Sequence, residues 1–177
     1  TELEYRVAAD GSVMVNSVII PAVKGEIIPR VGYRLELPEG FERMRWYGRG
    51  PLENYVDRKW ASNVDVYEST VSDQWVKYVK PQEMGNHEDL RWISITNFDG
   101  QGFVFVAADK LSATALHVRA QDMTDPEQLQ KRIHDYEIMQ RKETILCLDA
   151  ANRPLGNASC GPGPMQKYEL RSEPLAF

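Results

Sequence analysis

The sequence predicts an all-β, antiparallel fold, on three observations. Its apolar residues recur with the period of strands, in short runs rich in Val, Ile, Thr and aromatics bounded by Gly, Pro, Asn or Asp. An Asp-Gly pair, Asp99-Gly100, separates two such runs, which is a strong short-range hairpin signal. Only one stretch carries the start signals of a helix. In chain order the strand-like runs are 12–20 (SVMVNSVII), 33–37 (YRLEL), 43–47 (RMRWY), 92–97 (WISITN), 102–108 (GFVFVAA), 143–149 (ETILCLD) and 166–170 (QKYEL). The hairpin is expected over 92–108. The helix is expected over 125–134, because Thr124 can cap it, Pro126 suits the first turn, Glu127 completes a capping box, and Leu129 and Ile133 share one face.

Bulk properties narrow the function classes. A chain of 177 residues with 42% hydrophobic content is enough for one domain with its own core, expected over 1–177 with no break in composition. The net charge of −5 and the lack of any basic block argue against a nucleic-acid partner, whose phosphates need clustered Lys and Arg. No run approaches the roughly 18 apolar residues of a membrane span, so no membrane partner is expected. The chain opens without Met, directly in strand-like sequence, as an excised piece of a longer protein would. Two cysteines without Cys-x-x-Cys or paired-His spacing indicate neither a disulfide scaffold nor a zinc site. Cys147, inside TILCLD, reads as an inert strand residue, whereas Cys160, inside GNASCGPGP, lies in a turn-rich loop.

Two long connections, 48–63 and 73–91, hold the chemistry. In RWYGRGPLENYVDRK (45–59), Gly48-Arg49-Gly50-Pro51 turns the chain out of a strand, and Glu53, Asn54, Asp57 and Arg58 follow where a sheet empties into a loop. Such a cluster either binds something or pins the loop with ion pairs. The second connection combines Trp75, Tyr78, Glu83, Asn86, His87, Asp89 and Arg91. Flat apolar faces beside carboxylates and amides are what a sugar site uses; the same mixture also makes a buried network that holds an irregular loop.

GRGPLENYVDR (48–58), YVKPQEMGNHEDLRW (78–92) and GNASCGPGP (156–164), in this order, resemble the C-terminal, small-chain region (domain 5) of bacterial β-galactosidases of glycoside hydrolase family 2. The resemblance extends from about residue 30 to the end. It implies an antiparallel β-supersandwich, similar to galactose mutarotases, whose first strands would precede Thr1. It also implies that both catalytic glutamates lie on a barrel outside this chain, so none of Glu53, Glu83 or Glu88 is expected to be catalytic and the chain alone is expected to be inactive. By the same resemblance, Asn157, Ser159 and Cys160 form a loop at the rim of the substrate cleft, with Cys160 where some members carry tryptophan. Glu83, Asn86, His87, Arg91 and His117 are possible contacts to sugar or to neighbouring domains, and Glu53, Asn54, Asp57, Arg58 and Asp89 are expected to structure their loops. No cofactor is expected in this chain; the family's Mg and Na ions belong to other domains. The implied partners are a β-galactoside substrate with the catalytic barrel, in a homo-oligomer of the bacterial cytoplasm or periplasm. Two alternatives stay open: an autonomous carbohydrate-binding module, resting on residues 73–92, and a mutarotase-like aldose epimerase, for which only His87, His117 and His134 are available.

Overall fold

The computed structural model describes residues 1–79, 81–123, 134–157 and 161–177. The described chain is all-β and antiparallel, with short 3₁₀ turns between strands. Strands β3 (Arg30–Leu37), β4 (Arg43–Gly50), β5 (Asn63–Thr70), β6 (His87–Thr96), β7 (Gly102–Leu116) and β8 (Thr144–Asn152) form one open sheet in the order β3-β8-β7-β6-β4-β5. A smaller sheet takes β1 (Glu2–Val7), β2 (Val13–Ile19) and β9 (Leu175–Ala176). The Tyr33 and Phe177 rings, 5.3 Å apart, join the two, helped by a contact between the Ser17 and Tyr33 hydroxyls.

The long strand β7 organises the large sheet. Its first part pairs with β6 (Phe103 opposite Ile95, Phe105 opposite Ile93), and its last part pairs with β8 (Ala113 opposite Leu148, Ala115 opposite Leu146). Period-2 alternation sends Met44, Trp46, Ile93 and Ile95 from one half and Ala113, Ala115, Leu146 and Leu148 from the other into a single buried cluster. The two halves differ on their second face. β4 alternates buried and exposed, as a sheet with one wet face does, whereas β8 is buried at every position from Thr144 to Asp149. Loop residues Trp75, Val76, Tyr78 and Met84 pack with Leu116 and Val118 into a second apolar cluster where β7 ends.

The 92–108 hairpin is present and turns over Asn97–Gly100, with Gly100 at φ +82°, a left-handed conformation that glycine adopts without a steric penalty. Two expectations need correcting. The 166–170 run is not a strand: Tyr168 and Glu169 donate to the carbonyls of Met165 and Gln166, closing a 3₁₀ turn, and the run meets another segment at its end, where the Leu170 carbonyl accepts from the Ile28 N–H. The long connections are shorter than read, since β4 runs on to Gly50, β5 begins at Asn63 and β6 begins at His87. β5 escapes detection because Val64 and Val66 point to solvent. The expected 125–134 helix lies outside the described residues except for His134, which is extended and precedes a 3₁₀ turn.

Candidate functional site

The motif residues meet in a polar knot where β4 and β6 leave the sheet. Arg49 donates from Nε to Asp89 Oδ2 at 2.5 Å and from NH1 to the carbonyls of Ser62 (2.7 Å) and Lys59 (3.2 Å). Lys59 Nζ reaches Asp89 Oδ1 at 2.9 Å and Glu88 Oε2 at 3.3 Å. Asp89 sits at φ +56°, inside the register shift of β6 between His87 and Leu90, where a short polar side chain tolerates the left-handed region. Burial opposes its charge, but the bonds from Lys59 and Arg49 prevail and hold its carboxyl below the ordinary range.

Beneath this pair, Asn54 and Asn86 interlock. The Asn54 N–H donates to the Asn86 carbonyl at 2.7 Å, Asn86 Nδ2 returns a bond to the Asn54 carbonyl at 2.8 Å, and the Glu88 N–H donates to Asn54 Oδ1 at 2.8 Å. Glu53 accepts from the Gly85 N–H at 2.8 Å, from the Tyr78 hydroxyl, and from Arg58 at 3.4 Å, whose guanidinium lies 4.7 Å over the Tyr55 ring. Arg91 donates to the Asp89 carbonyl at 2.6 Å and covers the Tyr47 ring. Asp57 stands apart, with a buried Oδ1 that has no partner among the described residues. His87 is fully buried, 4.3 Å from the Trp46 ring, between Gln74 Oε1 (2.7 Å) and the Arg49 carbonyl (3.2 Å); burial pushes its pKa down to about 4, so it is neutral near pH 7. The aromatic faces of the 73–92 stretch turn inward as well: Trp75 packs in the second apolar cluster and donates to Asp135 Oδ1 at 2.7 Å.

The remaining predicted positions stand elsewhere. His117 bridges Glu42 Oε2 (2.7 Å) and the Glu143 carbonyl (3.0 Å), and His134 stacks on Tyr136, so the three histidines occupy three separate bonding environments. Asn157 accepts from the Gly161 N–H at 2.5 Å and donates to the Pro162 carbonyl at 3.0 Å. Ser159 and Cys160 lie outside the described residues.

A cleft of about 590 Å³ lies against the second face of the β3–β8–β7 half, and motif reading missed most of it. Arg30, Thr114, Cys147, Asp149, Asn152 and Glu83 supply its polar lining. One Arg30 nitrogen, NH2, bonds Glu83 Oε1 at 3.2 Å and comes within 2.9 Å of Asp149 Oδ2. Burial raises both carboxyls, Asp149 to about 7, because the loss of water outweighs what Arg30 offsets. Burial also pushes the Cys147 thiol up to about 11, leaving it inert. One sequence signal could have found this place: Gly32 pairs with Asp149, and a Cβ on Gly32 would come within 2.2 Å of the Leu148 carbonyl oxygen, so only glycine fits beside that carboxylate. Among the described residues no group of three or more His, Cys, Asp and Glu side chains could hold a metal ion.

Comparison with known proteins agrees with the motifs. The family described as "Beta galactosidase small chain" matches residues 1–177. The chain is 31% identical over 183 residues to the β-galactosidase BgaC of Bifidobacterium adolescentis, covering 100% of this chain and 17% of that protein. It is 29% identical over 174 residues to the β-galactosidase of Staphylococcus xylosus, covering 98% and 17% respectively. For the β-galactosidase of an Arthrobacter species the identity is 30% over 147 residues, 83% of this chain and 14% of the relative. The chain thus spans about a sixth of the length of the curated relatives it matches, and it belongs to the β-galactosidase small-chain family.

Proposed function

We propose that this chain is an accessory domain of a β-galactosidase that hydrolyses terminal β-D-galactosides, and that it contributes to the substrate cleft and to subunit contacts without supplying the catalytic pair. The observation that carries this reading is the match of all 177 residues to the small-chain family, within relatives about six times longer. The acidic motif residues support it. Glu53 and Glu88 are bonded within the knot, where they hold loops. Retaining hydrolysis needs an acid and a nucleophile flanking one sugar at roughly 5 Å, and an enzyme of this family would draw them from another part. The loop that begins at Asn157 is the proposed rim. Groups at a rim touch the sugar in ground and transition state alike, so they act on KM more than on kcat.

The folded chain alone is expected to give no hydrolysis of o-nitrophenyl β-galactoside, and a β-galactosidase carrying this domain is expected to lose affinity or assembly when it is deleted. Hydrolysis by the isolated chain, or an undiminished enzyme after deletion, would overturn the reading. Cys160→Trp in the same enzyme is expected to lower KM with kcat little changed; no change in either constant would remove the rim role.

A further inference from the structure

We infer that the cleft over β3, β8 and the end of β7 is a binding site for a small uncharged polyol of monosaccharide size, held by Arg30, Glu83 and Asp149. The inference starts from where buried polar atoms lack partners. Among the described residues, Arg30 Nε and Arg153 Nε are buried without a hydrogen bond, Asp149 Oδ2 has its ion pair with Arg30 and no further bond, and all three residues line this cleft. The Ser112 hydroxyl, also buried and unbonded among the described residues, belongs to the residue that pairs with Asp149 across the strands. Buried polar groups are nearly always bonded, and a local concentration of exceptions points to a polar occupant. Asp149 is only 1% exposed, yet it faces a volume within the range of small-molecule clefts, roughly 300–1,000 Å³.

The lining selects the chemistry of that occupant. Arg30, Arg34 and Arg153 repel a cation, while Glu83 and Asp149 offset part of the positive charge that would draw an anion. A neutral ligand whose hydroxyls both donate and accept suits carboxyl oxygens and guanidinium N–H groups placed side by side. Leu116, Val118 and Ile145 add an apolar wall for C–H surface. The alternation of the strands explains the assembly: Arg34, Cys147 and Thr114 share one cross-strand row and Gly32, Asp149 and Ser112 the next, on the face away from the main core.

Titrating the isotope-labelled full chain with D-galactose, and separately with inorganic phosphate, tests this by amide chemical shifts. Galactose is expected to perturb residues 32–34, 114 and 147–149, phosphate is expected to leave them unmoved, and Asp149→Asn is expected to weaken galactose binding at least tenfold. If that variant does not fold, Thr114→Val, which removes a hydroxyl from the same lining, decides in its place. Perturbation by phosphate in preference to galactose, galactose shifts confined to other residues, an unaltered affinity in the folded variants, or no shifts at about 100 mM galactose would each overturn the inference. The readout is binding by this chain, so it is independent of whether a galactoside is hydrolysed in its company.

Discussion

The knot at the end of β4 and β6 and the cleft on β3 and β8 use the same residue types to opposite ends. In the knot, Arg49 makes three bonds, Asp89 is shared by two cations, and the amides of Asn54 and Asn86 interlock. In the cleft, a single Arg30 nitrogen faces two carboxylates, and polar atoms stay buried without partners among the described residues. An ion pair that is fully hydrogen-bonded holds structure, and one left short of partners raises the pKa of its carboxylates and remains available to something else. Arginine next to aspartate therefore says little about role until the other bonds of each group are known.

The sharpest way to break this comparison is to remove the cation of the knot. Arg49→Met leaves Asp89 short of its main partner and strips two loop carbonyls, and it is expected to cost about 3–5 kcal/mol in chemical denaturation. A loss below about 1 kcal/mol would show that the knot does not hold the fold.

Neutralising one aspartate in each region comes next. Asp89→Asn is expected to destabilise by roughly 1–3 kcal/mol near neutral pH, since it withdraws charge-assisted bonds from Arg49 and Lys59. Asp149→Asn is expected to be neutral or stabilising at about pH 8, since it removes a charge that burial opposes. Equal losses in both variants would erase the distinction between the regions.

Acidity sharpens the contrast further. Asp149 has its pKa raised from 3.8 to about 7, so the folded chain holds this proton more tightly than the unfolded one; its stabilising effect is complete below the lower value and is lost as pH rises through the upper. His87 is lowered from 6.5 to about 4, so its contribution is present above the upper value and is lost as pH falls toward the lower. On acidification from about pH 7 the two oppose each other, and Asp149→Asn is expected to show a larger drop in Tm than the wild type. Parallel Tm profiles would refute the assigned titration of Asp149. The smallest effect belongs to the exposed pair Lys142–Glu39, 3.3 Å apart, where Lys142→Ala is expected to leave Tm unchanged within error.

Legibility followed burial. The strands of the half-wet part, β4, β6 and the start of β7, were readable because one face meets the core and the other meets water, which writes alternation into the sequence. β5 was not, since its valines face solvent and its Tyr67 alone packs inward on Trp46. The knot was half legible: Glu53, Asn54, Arg58 and Asp89 stood out as a cluster, but Arg49 and Lys59, which hold Asp89, read as ordinary basic residues of a loop. His87 looked like a surface ligand and is a buried neutral partner of Trp46, because β6 begins earlier than its apolar run suggests.

By itself, the sequence determined the all-β class, the Asp-Gly hairpin and the family, because these rest on local period, turn chemistry and ordered motifs, all written within short spans. Only the tertiary structure decided which charges are satisfied. Arg30 meets Glu83 53 positions away in the chain, and Asp149 comes beside Gly32 through strand pairing. Such distant partners follow from strand register and from where the loops fold back onto the sheet, and no local pattern records them.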